Sequence, residues 1–103
     1  MTIQEQIKED MKQAMREKNE AKLSVTRGLI SAFTNELVAN GKTPQDPIDD
    51  EMAMTVISRA AKQRKDSIEQ FEKGGRPELA ESEKVELEIL ETYLPEMMSE
   101  EEI

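Results

Sequence analysis

A single arginine, Arg64, falls in the middle of a face that otherwise carries apolar side chains at helical spacing. This face belongs to a predicted long helix and comprises Ala53, Val56, Ile57, Ala60, Ala61, Ile68 and Phe71. The next predicted helix carries glutamates among its apolar side chains. On one face it has Leu79, Leu87, Leu90 and Leu94, with Glu83 in the middle and Glu86 at the edge.

The two helices are separated by Gly74-Gly75, and folding them antiparallel about this break brings Arg64 level with about residue 85. A guanidinium removed from water requires an anionic partner, and arginine is well suited to bridge a carboxylate. We therefore expect a structural ion pair between Arg64 and Glu83 or Glu86 that fixes the register of the hairpin. The alternative is an arginine that binds a ligand in a cleft.

The polar face of the same long helix carries most of the candidate phosphate ligands. These candidates are Arg59, Lys62, Lys65, Lys73 and, just beyond the glycines, Arg76. Asp66 and Glu69 lie among the lysines, and the pairs Lys62–Asp66, Lys65–Glu69 and Glu69–Lys73 have i,i+4 spacing. That spacing favours a solvated face that neutralises itself. Phosphate binding is the alternative, although no aromatic side chain alternates with the lysines to stack on bases.

The residue types used in most catalytic sites are missing. The chain has no histidine and no cysteine, so the commonest general base, the commonest metal ligand and a thiolate nucleophile are absent. No glycine-rich loop of a nucleotide-binding type is present. The residues therefore indicate a non-catalytic helical module, and we expect no catalytic residue, no metal ligand set and no cofactor.

Helix-forming residues and stop signals predict an all-α fold with four helices. The expected spans are Thr2 to Lys18, Glu20 to Val38, Asp46 or Asp49 to Lys73, and Pro77 to Leu94. Thr2 and Glu5 have capping-box spacing, and Asn19 is placed to cap the second helix. We assign residues 1–95 to this domain.

Ser99 and Glu102 also have capping-box spacing, which predicts that a further helix begins near the end of the chain. We expect residues 96–103 to be the start of a second helical domain that is truncated or missing.

Charge divides the chain unevenly. The net charge is −9, yet residues 1–76 hold 13 basic and 13 acidic residues, whereas residues 77–103 hold 10 glutamates and one lysine. An acidic protein repels nucleic acid at long range, but a neutral body leaves room for local basic patches. No apolar run resembles a secretory signal or a membrane span, so we expect a cytoplasmic protein without a membrane partner.

Two stretches carry a family resemblance. They are KQRKDSIEQFEKGGRPELAESEKVELEILETYLPEMMSEEEI and MKQAMREKNEAKLSVTRGLISAF, and together they resemble the GatB/YqeY family over nearly the whole chain. The resemblance implies a larger N-terminal helical domain followed by a smaller helical one. The family is related to the tail of the B subunit of aspartyl/glutamyl-tRNA amidotransferase, and similar domains are appended to a glutaminyl-tRNA synthetase. In those proteins the tail helps to hold tRNA, while chemistry occurs elsewhere.

This resemblance implies a tRNA-binding accessory domain that acts beside an amidotransferase or an aminoacyl-tRNA synthetase, and DNA is not an expected partner. Its phosphate contacts would come from the basic residues named above. One alternative is a protein-interaction module that uses the acidic tail or the strip Val85, Ile89 and Tyr93. The other is an amidotransferase-like carbon–nitrogen ligase, with glutamine as amide donor, that is active only with a partner.

Overall fold

A computed structural model describes residues 2–94 of the chain and contains four α-helices over that range. They are α1 (Ile3–Glu17), α2 (Glu20–Ala39), α3 (Asp50–Lys73) and α4 (Pro77–Glu91). Residues 2–94 include no β-strand, which confirms the predicted all-α class. Within the same range, no helix combines the length and apolar character that a membrane crossing requires.

The helix starts follow the caps in the sequence. The Thr2 hydroxyl accepts a hydrogen bond from the Glu5 amide, and the Glu5 carboxylate accepts one from the Thr2 amide at 2.9 Å, which confirms the capping box. Asn19 Oδ1 accepts from the Lys22 amide at the start of α2. At α3, Asp49 Oδ1 accepts from the Met52 amide at 2.7 Å. Asp46 instead accepts from Thr43 within the preceding loop, so the helix starts at the later of the two predicted sites.

The predicted end of α4 at Leu94 is too late. The helix ends at Glu91, and the amides of Thr92, Tyr93 and Leu94 donate to carbonyls three residues back. The Thr92 hydroxyl donates a hydrogen bond to the Ile89 carbonyl at 2.6 Å. The chain after α4 thus forms a tighter turn, in which each hydrogen bond joins residues three apart.

The chain divides into two compact units, Met1–Val56 and Ile57–Ile103. In the first unit α1 packs against α2, and the buried side chains are those of Ile7, Ala14, Val25, Thr26, Leu29, Phe33, Leu37, Ile48, Ala53 and Val56. Two side chains connect α1 to the segment around the start of α3. Asp50 Oδ1 accepts from the Ile3 amide at 2.9 Å, and Gln4 Oε1 accepts from the Ile48 amide at 3.3 Å.

The second unit buries fewer of the expected side chains. Among its described residues, Ile57, Ala61, Ala80, Leu90 and Leu94 are buried. Leu79, expected on the apolar face of α4, is 37% exposed because it lies at the edge of that face and Ala80 takes the buried position. In the first unit Met15 of α1 is 53% exposed, and the adjacent Ala14 is buried.

Three helices, α1, α2 and α3, end with backbone hydrogen bonds of the Schellman type. At the end of α2, the Lys42 amide donates to the Leu37 carbonyl at 2.9 Å and the Gly41 amide to the Val38 carbonyl at 3.0 Å. At the end of α3, the Arg76 amide donates to the Phe71 carbonyl at 2.8 Å and the Gly75 amide to the Glu72 carbonyl at 3.3 Å. Gly75 has a φ of 76°, the left-handed conformation that glycine adopts without a steric cost. At the end of α1 the same position is occupied by Lys18, at a φ of 58°.

The proposed second domain at 96–103, including the Ser99 and Glu102 capping box, lies outside the described residues, and that assignment stays a prediction.

Candidate functional site

Arg64 meets two carboxylates across the break between α3 and α4. Its Nε donates a hydrogen bond to Oε1 of Glu86 at 2.9 Å and lies 3.4 Å from Oε2 of Glu83. The Arg64 side chain is 29% exposed and each glutamate 23%, so the group sits at the margin of the unit rather than in a dry core. The structure thus brings together the three residues of the expected ion pair, and their role in fixing register stays a prediction.

The spacing within each helix explains this arrangement. Glu83 and Glu86 are three residues apart on α4, so they project from neighbouring positions on one side of the helix. One guanidinium therefore reaches both carboxylates, and the three groups together carry a single negative charge. Nε is the closest nitrogen to both carboxylates, whereas a bidentate bridge would present two nitrogens to one of them.

A second ion pair crosses the same break. Lys84 Nζ lies 2.9 Å from Oε2 of Glu72, and both side chains are about half exposed. The hydrogen bond from Lys84 to Glu72 raises the pKa of the lysine. The sequence does not predict this contact, because the two residues are not level in an antiparallel fold about the glycines. The available signal was that Lys84 is the single cation among residues 77–103.

The five candidate phosphate ligands fall into different electrostatic settings. Lys73 Nζ lies 2.8 Å from Glu69 Oε1, and Arg76 Nε lies 3.0 Å from Glu78 Oε1. The contact with Glu69 raises the pKa of Lys73, and the same contact lowers the pKa of Glu69. Each of these two cations is thus matched by a carboxylate of its own chain.

Lys62 and Lys65 are exposed, and within residues 2–94 neither makes an ion pair. The expected pairs Lys62–Asp66 and Lys65–Glu69 are therefore wrong, whereas Glu69–Lys73 is present. Exposed lysines gain little from such pairs, since screening and lost side-chain freedom offset most of the attraction. Arg59 is also exposed, one helical turn before Lys62. Lys62 and Lys65 are therefore the least neutralised of the five candidates.

The described surface also has shallow depressions. A shallow depression in the first unit is lined by Glu36, Asp49, Glu51, Met52 and Thr55, and another in the second unit by Asp66, Glu69, Gln70 and Lys73. Over residues 2–94, no group of three or more acidic, histidine or cysteine side chains is arranged to hold a metal ion.

Comparison with known proteins identifies relatives in yeasts. The chain is 39% identical over 92 residues to a protein of Lachancea thermotolerans, a match that covers 88% of this chain and 47% of that protein. It is 34% identical over 88 residues to a protein of Vanderwaltozyma polyspora (85% and 46% covered), and 33% over 92 residues to one of Saccharomyces cerevisiae (88% and 48%). All three are named "Altered inheritance of mitochondria protein 41, mitochondrial". The chain spans about half the length of these relatives.

These names contradict the cytoplasmic location expected from the sequence, because each relative is named as a mitochondrial protein. The expectation rested on the lack of a secretory signal and of a membrane span. Those two features bear on secretion and on membrane insertion, and they do not distinguish the cytoplasm from the interior of an organelle.

The family resemblance noted in the sequence is tested by a family model. The model described as Yqey-like protein matches residues 4–103. Both stretches that carried the resemblance lie within this range, which includes the Arg64 ion pair and the lysines of α3. The chain therefore belongs to the Yqey-like protein family.

Proposed function

We propose that this domain is a tRNA-binding accessory domain that holds the sugar–phosphate backbone of tRNA while chemistry takes place on a partner protein. The observation that carries the proposal is the pair of exposed lysines on α3, Lys62 and Lys65, which have no carboxylate partner within the described chain. Cations that the fold leaves unmatched are available to phosphate oxygens. The chain belongs to the Yqey-like protein family. The resemblance of that family to the tail of a tRNA amidotransferase subunit supports the proposal of a tRNA-binding domain.

The remaining candidates play a secondary part in this proposal. Phosphate would have to displace Glu69 from Lys73 and Glu78 from Arg76, since these carboxylates already occupy the cations. Lys62 and Lys65 require no such exchange, and Arg59 lies on the same helix one turn earlier. We therefore expect the main phosphate contacts at Lys62 and Lys65.

Charge sets the strength of the interaction. The net charge of −9 opposes the approach of a polyanion, so attraction must come from a local patch. Each phosphate neutralised contributes a slope of roughly −0.7 to −0.9 to the dependence of log affinity on log salt. Two or three contacts give a slope of about −2. We therefore expect this domain to bind tRNA weakly, with the assistance of a partner protein.

The test is the binding of unfractionated tRNA to the 103-residue chain across a salt series, compared with the charge-reversed variant K62E/K65E. A matched control is K8E/K12E, which places the same change in charge on exposed lysines of α1. We expect K62E/K65E to weaken binding at least about tenfold and to reduce the salt slope by about 2, with the control much closer to wild type. Helical circular dichroism establishes that all variants are folded.

Two results would overturn the proposal. In one, wild type does not bind tRNA even at low salt. In the other, the K62E/K65E and K8E/K12E variants lose affinity equally, which would mean that net charge alone governs the interaction.

A second candidate function, a protein-interaction module, is favoured by the apolar surface of α4. Val85 is 48% exposed, and Ile89 and Tyr93 follow it at helical spacing and are half-buried. A charge at this position, V85D, would weaken binding to a partner protein without affecting tRNA. An amidotransferase-like activity would have to draw its catalytic residues from a partner, and it predicts amide transfer only when both proteins are present.

A further inference from the structure

One exposed stripe of α3 carries positive charge at both ends and negative charge between them. Lys62, Asp66, Glu69 and Lys73 follow one another at spacings of four, three and four residues, which places them on a single face. All four side chains are exposed, and Lys65 lies beside Lys62. At about 1.5 Å per residue, the two cationic ends are about 16 Å apart, with the two carboxylates between them.

The acidic centre of this stripe is slightly concave. Asp66, Glu69, Gln70 and Lys73 line a shallow depression in the helix surface. Asp66 makes no ion pair within the described residues, and only one contact, to Lys73, involves the Glu69 carboxylate. The centre of the stripe therefore presents acceptor oxygens that remain free to receive hydrogen bonds.

The stripe itself contains no aromatic side chain. The chain has no tryptophan, one tyrosine and two phenylalanines. Phe33 is buried in α2, and Phe71 and Tyr93 are half-buried. Proteins that bind single-stranded nucleic acid rely on aromatic side chains on which the bases stack. The stripe lacks that means of recognition, and its carboxylates would repel a strand that ran along it.

The minor-groove side of a base-paired RNA stem is complementary to this order of charges along the stripe. The minor groove of an A-form helix is wide and shallow, displays 2′-hydroxyl groups, and is bordered by a row of phosphates on each side. A straight α-helix laid across such a groove meets phosphate, then hydroxyl donors, then phosphate again. Cations at both ends and acceptors at the centre are the complementary arrangement.

We propose, on the basis of the function proposed above, that this stripe binds the minor-groove side of a base-paired RNA stem. Lys62 and Lys65 contact phosphates of one strand, and Lys73 contacts a phosphate of the other after exchanging its bond to Glu69. Asp66 and Glu69 accept hydrogen bonds from 2′-hydroxyl groups. The carboxylates thereby discriminate RNA from DNA, because only RNA supplies those donors.

The experiment compares three probes at one low salt concentration: a short RNA duplex, a DNA duplex of the same sequence, and one strand of the RNA alone. Wild type is expected to bind the RNA duplex about fivefold more tightly than either of the others, the value of about one net hydrogen bond. The variant D66A/E69A removes two negative charges, so it should bind the DNA duplex more tightly. The ratio of its affinity for the RNA duplex to its affinity for the DNA duplex should fall toward one. The variant E81A/E88A makes the same change in charge on exposed positions of α4 and should retain the preference.

The outcomes separate this inference from the function on which it rests. If tRNA binds but the RNA duplex, DNA duplex and single strand bind equally, the stem-binding inference is overturned and the tRNA-binding proposal stands. The same holds if D66A/E69A keeps the full preference for RNA. If neither tRNA nor any of the three probes binds, both are overturned.

Discussion

Arg64 donates a hydrogen bond from Nε to Oε1 of Glu86 over 2.9 Å, although the two residues are 22 positions apart in the chain. The contact pairs a cation of α3 with a carboxylate of α4, and Glu83 adds a second carboxylate at 3.4 Å. Because these side chains retain about a quarter of their exposure, the pair is intermediate between a surface salt bridge and a buried one. Removal of this ion pair should therefore produce a measurable change in the free energy of unfolding.

The first prediction concerns the removal of this shared cation. Arg64→Met leaves Glu83 and Glu86 close together without a counter-charge, so we expect the free energy of unfolding to fall by about 1 kcal/mol. Urea unfolding followed by helical circular dichroism measures the change. The triple variant R64M/E83Q/E86Q should recover most of the loss, because it removes the repulsion as well. Unchanged stability in R64M would show that the pair contributes nothing.

A second prediction concerns Lys84 and Glu72, whose side chains are about half exposed. The pKa of Lys84 is raised from 10.5 by its hydrogen bond to Glu72, so this stabilisation is present below that pH and is lost as pH rises through the higher folded value. Lys84→Met should therefore lower the thermal midpoint slightly at neutral pH and low salt. The difference from wild type should disappear at high salt and in strong alkali. A difference that persists in high salt would identify packing as its cause.

The third prediction concerns the N-terminal cap of α1. The pKa of Glu5 is lowered from 4.5, chiefly because its carboxylate accepts the backbone amide of Thr2. That contribution to stability is present above the ordinary pKa and is lost as pH falls through the lower folded value. Wild type should exceed Glu5→Gln in thermal midpoint at about pH 7, and the gap should close as pH falls below 4.5 and through the lower folded pKa. A gap that is constant across this range would contradict the assignment.

The fourth prediction concerns the end of α1. Lys18 holds a φ of 58°, a conformation that is costly for a residue with a Cβ atom. Lys18→Gly should raise the free energy of unfolding by about 1 kcal/mol, as measured by urea unfolding. The matched control is Lys12→Gly in the interior of α1, which should lower stability by about the same amount. Destabilisation by both variants would show that the Lys18 side chain makes a contribution larger than the strain.

The sequence predicts the helices well because caps and stops are local. Thr2 and Asn19 cap their helices through contacts that span three residues, and Gly75 ends α3 through its own backbone conformation. The end of α4 differs from the predicted one by three residues, because the amides of Thr92, Tyr93 and Leu94 bond to carbonyls three residues back rather than four.

The side-chain pairs are harder to predict, because they depend on which carboxylate an exposed lysine reaches. At i,i+4 spacing Glu69 has two candidate ion-pair partners, Lys65 and Lys73, and the structure pairs it with Lys73. Lys84 reaches Glu72 although an antiparallel fold about the glycines does not place them level. Long flexible side chains of small pairing energy leave several partners nearly equal in free energy. The location of functional charge is therefore less determined by sequence than the helix that carries it.

The three-residue connection between α3 and α4 has a consequence for how the sequence can change. A rotation of α4 by about 100°, the angle that one helical residue spans, would turn Glu83 and Glu86 away from Arg64. The same rotation would carry Ala80, Leu90 and Leu94 out of their buried positions. The short connection thus limits the angular phase of α4, and Gly75, at a φ of 76°, limits which residues can occupy the connection.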